Sequence, residues 1–219
     1  MITLLWDLDG TLIDSMPAIG KSLNLTAVQY GKPQWDNNRL RSLIGPELGE
    51  MLAMMLNLTQ ADEIAAAKDV YRNFYRKEML SSPLFEGMYA ALVHFRDLGV
   101  QQFVATAKYQ QYAADIIEAL ALTPFFVGVY GSTESGLYGD KKQLLAYIIE
   151  EEGLKPSQTI MIGDTRFDIE AGHHHKMTTI AVKWGYGDEL SINEAAPHFT
   201  AVSPEQLPGL IKIATECGC

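Results

Sequence analysis

Cysteine is almost missing from this 219-residue chain: Cys217 and Cys219 stand at the extreme C-terminus and there are no others. A framework of structural disulfides is excluded, which fits a reducing compartment, and the Cys-Gly-Cys end reads as a frayed tail. No apolar run approaches the ~18–20 residues of a membrane span. The N-terminus lacks the basic stretch that opens a signal peptide. These absences lead to the expectation of a soluble, cytoplasmic protein without a membrane partner. Basic residues are also in deficit, with 17 Lys and Arg against 27 Asp and Glu and a net charge of −10. Without a basic stripe, nucleic acid is not an expected partner. An anionic ligand must then be met locally, by a metal ion, a lysine or backbone N–H groups. Repeats and low-complexity tracts are absent as well, while 47% apolar residues are enough for a real core.

What is present begins at once. Met1–Asp14 reads MITLLWDLDGTLID, an apolar run from Ile2 to Trp6 that stops in Asp7, Asp9, Gly10 and Thr11. Such a run, bounded by turn formers, suits a strand buried on both faces of a parallel sheet. Ligands of open parallel sheets sit beyond the carboxyl ends of the strands. Asp7 and Asp9 would occupy that edge, and residues two apart in an extended segment point to the same side. Gly10 permits a tight bend, and the Thr11 hydroxyl can donate or accept a hydrogen bond.

Residues 15–84 change character. Met16–Gly31, Pro46–Leu58 and Thr59–Leu80 carry helical spacing, with Thr59 a candidate N-cap ahead of Asp62 and Glu63. An all-helical block placed directly after the first strand predicts a small helical domain, 15–84, inserted into a core made of 1–14 and 85–219. After Pro83 the pattern alternates. Strands are expected at 103–106, 125–130, 159–162, 178–182 and, at the edge, 198–202. Helices are expected at 87–98, closed by Gly99, and at 109–122, 140–152, 166–174 and 204–215, with Asp140 as an N-cap. Alternation of this kind predicts an α/β fold, a doubly wound parallel sheet with right-handed crossovers.

Four features fall at or just past predicted strand ends: Asp7 with Asp9, Thr106, Lys141, and Asp164 with Asp168. The fold would gather them at one edge. A carboxylate can be a phosphoryl acceptor, and Asp7 is the candidate nucleophile. Asp9 is the candidate general acid and base. Mg²⁺ takes about six oxygens, often one or two carboxylates with water and phosphate. Asp7, the Asp9 carbonyl and Asp164 would supply them, with Asp168, one helical turn on, acting through a water. Thr106 would bond a phosphoryl oxygen, and Lys141 would pair with nucleophile and phosphate as a point charge.

Together TLLWDLDGTL, VATAK, GDKKQLL and MIGDTRFDIEAG resemble, in order, the four motifs of the haloacid dehalogenase-like (HAD) hydrolases, and the helical insertion resembles their C1-type cap. LIGPEL and the late WGYG are similar to the phosphoglycolate phosphatase and 5′-nucleotidase-like branch. The resemblance implies Mg²⁺-dependent hydrolysis of a small phosphorylated metabolite through an aspartyl-phosphate, by a monomer or weak dimer. It also favours Lys141 over Lys142, because the apolar residues three and four positions on match the family's spacing. Two departures stand out: Ala107 follows Thr106 where Asn or Ser is frequent, and the third motif lacks a Lys-Pro pair. Thr11 and Ala107 are expected near the phosphoryl group, and Arg39 and Arg41, with Lys32 and Glu47, near the distal end of the substrate.

The core residues alone leave a β-phosphoglucomutase-type phosphotransferase open, and from another class a non-catalytic binding module that shares the fold. No carboxylate is lost, as it would be in a module that had given up catalysis. His173–His175 cannot converge on one ion within a continuing helix and read as an exposed helix end. Trp184 and Tyr186 read either as pocket rim or as packing.

Overall fold

The computed structural model describes residues 2–217, the side chain of Cys217 excepted, so the reading of Cys217 and Cys219 lies outside it. In chain order the elements are β1 Thr3–Trp6, α1 Met16–Gln29, α2 Asn37–Arg41, α3 Leu48–Leu56, α4 Ala61–Tyr75, α5 Met88–Asp97, β2 Gln101–Tyr109 and α6 Gln110–Ala119. They continue with β3 Gly128–Ser132, α7 Lys141–Glu152, β4 Thr159–Gly163, α8 Arg166–His174, β5 Thr178–Val182, α9 Glu189–Glu194, β6 Phe199–Ala201 and α10 Leu207–Cys217. Among the described residues the strands form one six-stranded sheet, ordered β3-β2-β1-β4-β5-β6, with every pairing parallel.

β1 is buried along its whole length, and its side chains divide between the two faces as strand periodicity requires. Leu4 and Trp6 pack with Leu92 and Phe95 of α5, Ile116 of α6 and Ile211 of α10. Leu5 packs on the opposite face with Leu144, Leu145 and Ile148 of α7 and Ala171 of α8. Helices therefore cover both faces. No helix among the described residues is long and apolar enough to cross a membrane.

The chain leaves β1 for α1–α4 and returns to α5 through two crossings that lie side by side. The Asp14 amide donates to the Pro83 carbonyl at 2.8 Å and the Phe85 amide to Leu12 at 3.0 Å, and Ile13 bridges Leu84 in antiparallel register.

The differences from expectation have local causes. β2 starts two residues early because a buried glutamine hides it: Gln102 accepts from Trp6 Nε1 at 3.2 Å and donates to the Leu92 carbonyl at 3.2 Å. β3 starts three residues late, because Pro124 holds Thr123–Phe125 in a 3₁₀ turn. Thr59 is not an N-cap; Gln60 holds that position, without a side-chain bond. α2 and α9, which hydropathy does not signal, are short helices capped by Asp36 and Asp188. Asp140 caps α7 as expected, accepting from Gln143 N at 3.0 Å.

Candidate active site

The order β3-β2-β1-β4 reverses direction between β1 and β4, which makes a crevice at their carboxyl ends. Asp7 follows β1 and Asp164 follows β4, so both acids project there. Asp168 arrives through a capping box. Its Oδ2 accepts the Thr165 amide at 3.1 Å and the Thr165 hydroxyl at 2.8 Å, which fixes the first turn of α8. One carboxylate oxygen from each of Asp7, Asp164 and Asp168 lies within 4.8 Å of the other two, and all three residues are buried.

Lys141 is the first residue of α7, where the Asp140 cap aims it back over the sheet. Its ammonium donates to Asp7 Oδ1 at 2.7 Å and the Ala105 carbonyl at 2.9 Å, and pairs with Asp168 Oδ1 at 2.9 Å. Lys142 lies half-exposed, 3.6 Å from Glu170. Asp164 accepts from the Thr11 hydroxyl at 3.2 Å and from the Tyr186 amide at 2.8 Å.

Three buried carboxylates against one lysine leave negative charge uncompensated. Burial, Asp168 and Asp9 push Asp7 up to about 7 against the pull of Lys141. Burial, then Asp7 and Asp168, hold Asp164 well above the usual carboxylate range. Burial works against the Lys141 ammonium, but Asp168 and Asp7 outweigh it and hold its pKa above the ordinary lysine value. An all-oxygen donor set with surplus charge fits a hard divalent cation. The acids can crowd together because backbone forms the wall: a Cβ at Gly10, Gly185 or Gly187 would overlap Asp164, and one at Gly163 would overlap Asp168. Gly10, at φ +82°, makes the bend as well.

A cleft opens from Asp7 toward α3 and α4. Thr106, Ala107, Lys108 and Lys141 line it from the sheet side, and Glu47, Lys68, Tyr71, Arg72 and Tyr75 line it from α3 and α4 or their caps. Of the expected site residues, Asp7, Asp9, Thr106, Ala107 and Lys141 reach this cleft. Thr11 lies beneath it, bonded to Asp164. Arg39 and Arg41 are not brought to it: the Arg39 guanidinium lies 3.7 Å above the Trp35 ring, and that of Arg41 is 5.8 Å from the Tyr186 ring. Trp184 and Tyr186 are braces rather than rim, since Trp184 Nε1 donates to the Thr11 carbonyl at 3.0 Å and the Tyr186 hydroxyl accepts the Met16 amide at 2.9 Å. His173 and His175 bond the carbonyls of Ala196 and Lys142. Lys108 was missed by the residue pattern. Its ammonium meets Asp9 Oδ2 at 2.9 Å, and only its place two residues after Thr106 hinted at the site.

Residues 4–182 match the family model described as haloacid dehalogenase-like hydrolase. A 5′-nucleotidase of Pseudomonas aeruginosa is 28% identical over 199 residues, covering 90% of each chain. Tyrosine-protein kinase PtkA of Mycobacterium tuberculosis is 30% identical over 185 residues; these make up 84% of this chain but 62% of that protein, so the chain spans less than two thirds of its length. A solved structure described as a predicted phosphatase from Clostridium acetobutylicum superposes with a TM-score of 0.91 at 27% identity, over 96% of this chain and 98% of that one. With four acids and two lysines gathered at the carboxyl edge of the sheet, and a family match over 4–182, this chain belongs to the haloacid dehalogenase-like hydrolase family.

Proposed function

We propose that the protein is a Mg²⁺-dependent phosphatase that hydrolyses a small phosphomonoester through an aspartyl-phosphate on Asp7. The observation that carries this reading is the Asp7 carboxylate, held at 2.7 Å from Lys141 at the floor of a cleft and clustered with Asp164 and Asp168. An Asp7 oxygen attacks phosphorus as the ester P–O bond breaks, and the leaving oxygen takes its proton from Asp9. A water then attacks phosphorus, gives a proton back to Asp9, and releases phosphate by breaking the bond to Asp7. Thr106 and backbone N–H groups would hold the phosphoryl oxygens, and Lys141 keeps Asp7 oriented and its charge balanced. Mg²⁺, held by Asp7, Asp164 and the Asp9 carbonyl with Asp168 behind them, would supply charge neutralisation for the phosphoryl group.

On this reading residues 15–84 act as a helical cap on the core of 1–14 and 85–219, and the substrate is a phosphorylated metabolite met by a monomer or weak dimer in the cytoplasm. The names of relatives support phosphoglycolate and nucleoside monophosphates as first substrates to try. A second reading, phosphoryl transfer to an acceptor other than water, is supported by the 30% identity to a protein named as a tyrosine kinase. The test is phosphate release from a panel of alkyl, sugar, nucleotide and aryl phosphates, with Mg²⁺ or EDTA, for wild type beside Asp7→Asn. Metal-dependent release that the variant lacks is the expected result. Phosphate transferred to an added acceptor without release would favour the second reading, and activity retained by Asp7→Asn would overturn both.

A further inference from the structure

Lys108 is a buried ammonium that the scheme above does not use. Its side chain is 7% exposed, and a buried lysine is costly unless its charge is paired and its donors are satisfied. It has two partners. One is Asp9 Oδ2 at 2.9 Å; the other is the Tyr75 hydroxyl at 2.5 Å, with the ammonium also 4.4 Å from the centre of the Tyr75 ring. The backbone turns to allow this. β2 and β3 pair in one register up to Ala105 and in another at Tyr109, so Thr106–Lys108 lie in an irregularity of the kind that re-aims side chains beside active sites. The Lys108 amide returns to the Thr106 hydroxyl at 3.2 Å and tightens that turn.

Tyr75 is itself held firmly. It stacks on Tyr71 with centroids 5.5 Å apart and meets Tyr112 at 5.8 Å. Burial and then the Asp9 charge hold its phenol well above the ordinary value, so it remains a neutral hydroxyl. At the other end Asp9 is held through one oxygen. Its Oδ2 is taken by Lys108, while Oδ1 is buried with no hydrogen-bond partner. An unpartnered buried carboxylate oxygen is costly, so the orientation of Asp9 rests on the single contact of Oδ2 with Lys108.

We propose that Lys108, braced by the Tyr75 hydroxyl of α4, is the positioning residue that fixes the Asp9 carboxyl for proton transfer to the leaving oxygen of the ester. This rests on the hydrolase reading, in which Asp9 gives that oxygen its proton. It adds that correct placement of the acid depends on α4 lying against the sheet edge, because Tyr75 belongs to α4 and Lys108 to β2.

The experiment uses two leaving groups. An alkoxide needs a proton from Asp9 in order to depart, whereas p-nitrophenolate departs without one. General acid–base groups contribute about 10²–10⁴-fold, so a displaced acid should cost at least about tenfold on the alkyl ester alone. The kcat/KM, which reports formation of the aspartyl-phosphate and not its later hydrolysis, is measured for full-length wild type, Lys108→Met, Lys108→Arg and Tyr75→Phe on the fastest alkyl monoester of the panel and on p-nitrophenyl phosphate, with Mg²⁺. Lys108→Met is expected to lose at least about tenfold on the alkyl ester and less than about threefold on the aryl ester. Lys108→Arg should restore part of the loss. Tyr75→Phe, which removes only a hydroxyl, should show the same selectivity in smaller measure and covers the case in which Lys108→Met does not fold. Equal losses on both esters would mean that Lys108 acts on the phosphoryl group, and no loss on either would make it structural; both results overturn the proposal. Activity in Asp7→Asn strikes the hydrolase reading instead, and a wild type inert on every ester ends both.

Discussion

Tyr186 holds Asp164 with its backbone and the start of α1 with its side chain. Its amide donates to Asp164 Oδ2 at 2.8 Å, while its hydroxyl accepts from the Met16 amide at 2.9 Å and donates to Asp14 Oδ1 at 2.8 Å. One residue thus joins an acid of the site to the crossing where the chain leaves the sheet. Tyr186→Phe keeps the amide bond and removes the hydroxyl, leaving a buried N–H without its acceptor. A loss of ~1–3 kcal/mol in urea unfolding is expected, with Mg²⁺ affinity within about twofold of wild type. Loss of metal binding without loss of stability would contradict this division of labour.

Lys141 and Lys142 are adjacent in sequence and opposite in environment. Lys141→Met leaves Asp7 and Asp168 buried without their shared cation, and removing one partner of a buried pair is strongly destabilising. Its turnover should fall at least about 100-fold, as for the loss of a preorganised charge at a reacting centre. Lys142→Met removes a half-exposed contact with Glu170 and should stay within about twofold. Phosphate release by the two variants, measured side by side with unfolding curves, checks both expectations.

The elevated Asp7 carboxyl makes stability depend on pH. Its folded value of about 7 lies above its ordinary 3.8, chiefly through burial. A group raised in this way contributes stability in full below its unfolded value and loses it as pH rises through the folded one. Metal-free wild type should therefore lose stability between about pH 4 and pH 7 relative to Asp7→Asn, which has no such carboxyl. Because a bound cation favours the ionised form, Mg²⁺ should stabilise wild type more at about pH 8 than at about pH 5. Urea unfolding of both proteins, with and without Mg²⁺ at the two pH values, reads this out. Parallel pH profiles for the two proteins would refute it.

Lys68 lines the cleft and pairs with Glu47 at 2.8 Å, whereas Arg39 caps the face of Trp35 away from it. Lys68→Ala should change the ranking of substrates in the panel. Arg39→Ala should leave kcat/KM within about twofold and cost up to ~1 kcal/mol of stability, the scale of an exposed cation–π contact. A reversed pattern would return Arg39 to the substrate.

The fold was legible in the sequence because its signals are local. β1 is a continuous apolar run, Asp140 marks a helix start, and strand–helix alternation implies the parallel sheet. β5 and α8 span the residues expected of them. Elements whose support is tertiary were hidden: Gln101 and Gln102 do not look like strand until Trp6 and the Leu92 carbonyl satisfy the amide of Gln102. At the site, acids projecting from strand ends could be read in order, but cations reaching in from elsewhere could not. Lys108 gains its meaning from Tyr75, 33 positions away, and no spacing rule links the two. Arg39 and Arg41 stand outside the cleft lining, since charge near the IGP segment says nothing about which way a short helix turns.

The glycines around the acids bear on how such a chain can diversify. At Gly10, Gly163, Gly185 and Gly187 any side chain would enter the space that Asp164 or Asp168 occupies. Four positions scattered through the sequence are thus closed to exploration as long as the chemistry is kept. On the far wall, Glu47, Lys68, Tyr71 and Arg72 come from α3 and α4 or their caps and carry no such constraint. Lineages descended from this scaffold would inherit the reaction unchanged and try out new substrates by rewriting one side of the cleft.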